Sequence, residues 1–123
     1  MFLFRIQPIP KPRMVHSDKY KERPIVMRYF DYCDNLRFLA NKNNFSIGDE
    51  IKNMTFVLQM PKSWSKKKKE LMNNSPHQQK PDLDNLLKAF KDALLKEDSK
   101  VHTYGQIKKV WGYHGAILIK DDI

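Results

Sequence analysis

The stretch KPDLDNLLKAFKDALLKED, from Lys80 to Asp98, decides how this chain is read. Leu83, Leu86, Leu87, Phe90, Ala93 and Leu94 recur at three- and four-residue steps, so the spacing predicts a helix from about Asp82 to Leu95 with one face in a core. Asp82 follows Pro81 and is placed as the N-cap, where a carboxylate also suits the helix dipole. Asp84, Lys88, Lys91 and Asp92 fall on the other side. Carboxylates thus gather at both ends, Asp82 and Asp84 before, Glu97 and Asp98 behind, in a chain of formal net charge +9. Caps and ion pairs account for such charges in an ordinary helix, with Lys88 pairing to Asp84 or Asp92. The alternative is a site. Asp82 at the non-helical cap can turn toward Asp84, and two carboxylates so arranged suit Mg²⁺, which takes one or two of them together with water and phosphate oxygens. Lys88, one turn on, would then offset charge building up on a phosphate.

Working outward, residues 2–8 predict a strand that ends in a proline-punctuated basic loop. From about Ile25 to Ala40, Val26, Tyr29, Phe30, Cys33 and Leu36 follow helical steps, with Pro24 suited to the first turn. Ile51 to Met60 reads as a strand carrying Met54, Phe56, Leu58 and Met60 on one face and stopped by Pro61. Weak helical character follows around Lys66 to Met72, then a polar loop up to Pro81. Lys100 to Trp111 and Ala116 to Lys120 read as strands joined near Gly112 to Gly115, which suggests a terminal hairpin. The order strand–helix–strand–helix–strand–strand predicts an α+β fold over residues 1–123 as one domain, helices on one face of a small mixed sheet.

Composition narrows the function. Hydrophobic content of 41% indicates a folded globule, and 123 residues suffice for one core. Lys+Arg 23 against Asp+Glu 14 is the footprint of a polyanion binder, concentrated in KPRMVHSDKYKERP and PKSWSKKKKE. Neither region has apolar residues at amphipathic spacing, no apolar run is long enough to span a bilayer, and MFLFRIQ carries Arg5 where a signal segment would be apolar. With the single Cys33 no internal disulfide forms, and a cytoplasmic location is expected. Cys33 is expected in the core, His77 as an exposed loop histidine, and Trp111 and Tyr104 in packing or a dimer contact. The histidines His16, His77, His102 and His114 lack ligand spacing, and no phosphate-binding glycine loop or serine-nucleophile motif occurs, so no nucleotide cofactor is expected.

The run Lys80-Pro81-Asp82-Leu83-Asp84-Asn85-Leu86-Leu87-Lys88, with Asp92-Ala93-Leu94 behind it, resembles the signature of the RusA-type Holliday junction resolvases. Glu97-Asp98-Ser99-Lys100-Val101 is similar to that family's downstream acidic pair, although Lys100 replaces a more usual neutral residue and the connection from Leu94 is short. Pro8-Ile9-Pro10-Lys11-Pro12-Arg13 and Pro61-Lys62-Ser63-Trp64-Ser65 look like its basic opening and mid-chain loop. The resemblance implies a homodimeric, Mg²⁺-dependent endonuclease, Mn²⁺ substituting, that resolves four-way DNA junctions by paired symmetric nicks. It implies Asp82, Asp84 and Asp98 as metal ligands and Lys88 as a catalytic lysine, with Asp98 preferred to Glu97 for its second acidic position. Lys11, Arg13, Lys66, Lys67, Lys68 and Lys69 would contact DNA phosphates. Two other readings stay open: a DNA-binding protein whose acidic cluster is inactive, and a nuclease for other branched DNA.

Overall fold

The structure, a computed structural model, describes residues 1–13, 23–96 and 98–120. In chain order the elements are β1 (Phe2–Phe4), α1 (Pro24–Lys42), β2 (Glu50–Gln59), α2 (Lys66–Met72), α3 (Leu83–Leu94), a 3₁₀ turn (Asp98–Lys100), β3 (Thr103–Gly112) and β4 (Ala116–Lys120). They form an α+β unit around a four-stranded mixed sheet of order β1-β4-β2-β3. No helix is long and apolar enough to cross a membrane among the described residues.

The alternation in β2 sets the layers. Met54, Phe56 and Leu58 point to one side and are buried, while Thr55 and Val57 between them stay partly exposed. Ile117 and Ile119 of β4 stand opposite Phe56 and Met54 and extend that inner face, and Phe4 of β1 completes it. Leu36 and Cys33 of α1 and Leu86, Ala89 and Phe90 of α3 close the core over it. Helix α3 buries four residues along one stripe, and burial at roughly 25 cal/mol per Å² holds it to the sheet.

The terminal strands do not form the expected hairpin. β3 pairs with β2 in parallel, from Glu50 opposite Thr103 to Gln59 opposite Gly112, and β4 pairs antiparallel with the other side of β2. Two ten-residue strands pair along their whole length this way, whereas a hairpin would engage only the five residues of β4. β4 is apolar on both faces and lies inside the sheet, leaving the lysine-bearing β3 toward the edge. Residues 113–115 therefore cross the end of β2. Gly115 passes under the N-terminal segment, where a Cβ would come 2.5 Å from the Cα of Gln7. The 73–81 stretch, expected as a loop, also gains structure: Pro76 bridges Val110 in an antiparallel sense along the outer side of β3.

Candidate active site

Helix α3 begins as its sequence requires. Asp82 is the N-cap with extended backbone (φ −67°, ψ 145°), and its carbonyl accepts the Leu86 N–H at 3.1 Å. Its carboxylate makes no capping bond and is exposed, as is that of Asp84 in the first turn. Among the described residues neither carboxylate has an ion pair or a side-chain hydrogen bond. Two negative charges stand unneutralised at the start of one helix in a positive protein, on an element fixed by its buried face.

Two cations near this helix, Lys11 and Lys88, approach Asp92. Its Oδ2 lies 2.8 Å from Lys11 Nζ and 3.7 Å from Lys88 Nζ. Lys88 keeps over half of its side-chain surface exposed (56%), and at 3.7 Å the contact is long for a hydrogen-bonded ion pair. Lys11 is more enclosed, and its carbonyl accepts the Asn85 Nδ2 amide at 3.3 Å, so the N-terminal segment lies clamped across α3. Asn85 had no assigned role in the sequence reading, and Asp92 only that of an alternative ion-pair partner for Lys88. The signal for them is the helical spacing of Asn85, Lys88 and Asp92, which puts all three within one stretch of the exposed face.

The approach to the cap is held by the sheet. The Lys109 ammonium donates to the carbonyl oxygens of Gln79 at 2.5 Å and Pro81 at 2.6 Å. Ahead of them, the His77 N–H donates to the Lys109 carbonyl at 3.1 Å and the Trp111 N–H to that of Ser75 at 3.0 Å. His77 is consequently buried at 5% exposure, with its ring 4.1 Å from that of Trp111, and is not the solvated loop histidine the sequence suggested. Burial, followed by the nearby Lys109 ammonium, pushes its pKa below the ordinary histidine value and favours the neutral ring. Trp111 is packed as expected, and Cys33 lies in the core.

Asp98 stands elsewhere in the chain. The twelve residues of α3 span about 18 Å between Asp82 and the C-cap Leu95. Beyond it Lys100 Nζ lies 4.0 Å from Asp49 Oδ1 and the His102 N–H bonds the Asp49 carbonyl at 2.9 Å, at the beginning of β2. Pro81, by contrast, contacts Lys109 near the end of β3, some 20 Å of strand from Thr103. One chain thus separates the backbone of Asp98 from the Asp82–Asp84 pair. Glu97 and His16 lie outside the described residues. Among the described residues no three acidic, histidine or cysteine side chains converge on a metal position.

The mid-chain cations form a distinct surface. Lys66, Lys67 and Lys68 are exposed, Lys69 is half-buried, and α2 buries no residue at all. Ser65 caps it by accepting the Lys68 N–H at 3.1 Å. The Lys68 ammonium lies 4.2 Å over the Trp64 ring, which packs on Trp111 at 4.7 Å and so ties this basic turn to β3. Arg13 is exposed, and its carbonyl accepts a guanidinium N–H of Arg23 at 3.0 Å.

A search of curated proteins returns no match to this chain. The family model for endodeoxyribonuclease RusA matches residues 5–120, nearly its whole length, spanning the clamped N-terminal segment, the basic turn and the carboxylate-bearing helix alike. The chain belongs to the RusA endodeoxyribonuclease family, enzymes that cut DNA at Holliday junctions.

Proposed function

We propose that this protein is a Mg²⁺-dependent, homodimeric resolvase of four-way DNA junctions that acts in the cytoplasm and needs no nucleotide cofactor. The observation that carries the reading is the exposed, unpaired carboxylate pair of Asp82 and Asp84 on a buried-face helix in a chain of net charge +9. Hard oxygen donors of this type fit Mg²⁺, or Mn²⁺ in its place. The ion would supply activation of water and neutralisation of charge on the scissile phosphate.

The chain's own residues do the rest. Asp82 and Asp84 orient that chemistry from a rigid helix start, and the Lys88 ammonium stands one turn on to offset charge on the departing oxygen. Asp92 holds Lys88 and Lys11 on that face. Lys66 to Lys69, with Arg13 and Lys11, bind flanking phosphates and position the DNA without reading its sequence. Asp98, remote from the pair along its own chain, completes the site from a second copy, so that the two-fold dimer presents two sites for two symmetric cuts.

Purified protein incubated with a four-way junction, a fork and a linear duplex should cut the junction in Mg²⁺ and not in EDTA. Asp82→Asn and Asp98→Asn should each abolish cutting while leaving junction binding intact or tighter, since negative charge near phosphate is removed. Mixing the two variants should restore nicking, because a mixed dimer carries one intact site. Activity in Asp82→Asn alone overturns the two-carboxylate site, and failure of the mixture to recover overturns the shared one.

A further inference from the structure

We propose that Lys109 is a positioning residue of the acidic site: it fixes the backbone from which Asp82 and Asp84 present their carboxylates. The metal part of this inference rests on the reading above, while the backbone part does not. Lys109 lies on β3 opposite Phe56, and in the strand alternation it shares the covered row with Ile107 and buried Trp111. Lys109 is half-buried, and an ammonium that has lost part of its water gains from acceptors within reach. It finds two, the carbonyls of Gln79 and Pro81, in the residues that lead directly to the Asp82 cap.

That stretch has few other means of being held. Pro81 has no N–H to give, and the Gln79 N–H turns back to His77 Nδ1 at 3.4 Å. Among the described residues, Lys109 supplies the hydrogen bonds that tie residues 79–81 to the sheet. The same residue accepts the His77 N–H through its own carbonyl. One strand position therefore grips the chain on both sides of the turn, main chain before it and side chain after it. α3 is anchored along its length by buried Leu86, Ala89 and Phe90 and at its first turn by partly buried Leu83, and this grip adds a tie to the chain just ahead of the cap.

A cation near a divalent-ion site has an opposite, purely electrostatic effect, and this makes the test decisive in sign. If Lys109 only adds positive charge, its removal tightens metal binding. If it positions the carboxylates, its removal loosens binding even though a repulsive charge has gone. Mn²⁺ is titrated calorimetrically into the full-length, DNA-free protein, and amide exchange is followed at Leu86, whose N–H bonds Asp82, and at Leu95, whose N–H bonds Lys91. Lys109→Met should weaken Mn²⁺ binding by about 10–100-fold, the range typical of removing an outer partner of a metal ligand. It should also speed exchange at Leu86 and leave Leu95 unchanged. Lys109→Arg, which keeps charge and paired donors, should recover most of both effects, and Lys109→Gln gives the same readouts if the methionine variant does not fold. Unchanged or tighter Mn²⁺ binding overturns the metal part, and unchanged Leu86 exchange overturns the backbone part. Asp82→Asn runs alongside: wild-type Mn²⁺ affinity in that variant sinks the carboxylate site, and Leu86 exchange in Lys109→Met still decides whether Lys109 holds the cap.

Discussion

Helices α2 and α3 are sequence neighbours with opposite anchorage, α2 strongly cationic and α3 balanced in charge with carboxylates at its start. α2 carries four consecutive lysines, buries nothing, and is tied to the molecule by the Trp64–Trp111 contact before it and the Asn74 N–H to Trp111 carbonyl bond after it. α3 carries Asp82 and Asp84 at its start and buries Leu86, Ala89, Phe90 and Ala93. In the function proposed above, bond cleavage needs ligands held within a fraction of an ångström, which suits carboxylates on an element the core fixes. Phosphate attraction is long-range and tolerant of position, which in the same proposal suits lysines on an element the core ignores.

The sharpest way to break this contrast is Lys88→Ala, a cation removed from the anchored helix. If Lys88 acts on the reacting phosphate, single-turnover cleavage by saturating enzyme should slow by ~10²–10³. Lys88 itself is mostly exposed and its 3.7 Å contact with half-buried Asp92 is long, so the melting temperature and junction affinity should stay nearly intact. Lys88→Arg should rescue in part, because its guanidinium is bulkier and spreads its charge. A wild-type rate in Lys88→Ala would reduce the lysine to a surface partner of Asp92.

Replacing Lys66, Lys67, Lys68 and Lys69 with alanine tests the other helix and should leave the saturated cutting rate alone. Binding should weaken alike for all sequences, and the slope of log affinity against log salt should flatten by ~0.9 for each phosphate no longer neutralised. An unchanged slope would make α2 a solvated surface with no part in DNA binding.

The smallest effect concerns the join between the two helices, where His77 is buried against Trp111. Its folded-state pKa is depressed from 6.5, so the unfolded chain binds its proton first as pH falls. The stability tied to the neutral ring is complete above the unfolded value and is lost as pH drops below it toward the folded one. Urea unfolding of the wild type and His77→Phe between about pH 8 and 5 should show the steeper acid-side loss in the wild type. Parallel curves would mean that the ring titrates alike in both states.

Much of this was legible along the chain. The leucine and phenylalanine stripe placed α3 within a residue of its ends, Leu83 and Leu94, and the lysine run marked α2. Alternation placed β2, the apolar run after the Gly112–Gly115 turn placed β4, and the KPDLDNLLK run singled out Asp82, Asp84 and Lys88. These features are local: side-chain periodicity of 3.6 or 2 reports which face of an element meets the core, and a cap reports where a helix starts. The partners of each face are not local. That β3 prefers β2 to β4, that Asp92 binds Lys11 from 81 positions away, and that Lys109 reaches back 28 positions to Pro81 follow from which long segments come to lie side by side. The burial of His77 has the same origin, since a polar loop and an edge strand look alike in sequence until a neighbouring strand offers its unpaired carbonyls and amides. Pairing across the fold is a competition among alternatives that share the same local pattern, and its winner is the arrangement that satisfies the most backbone groups and buries the most apolar surface at once.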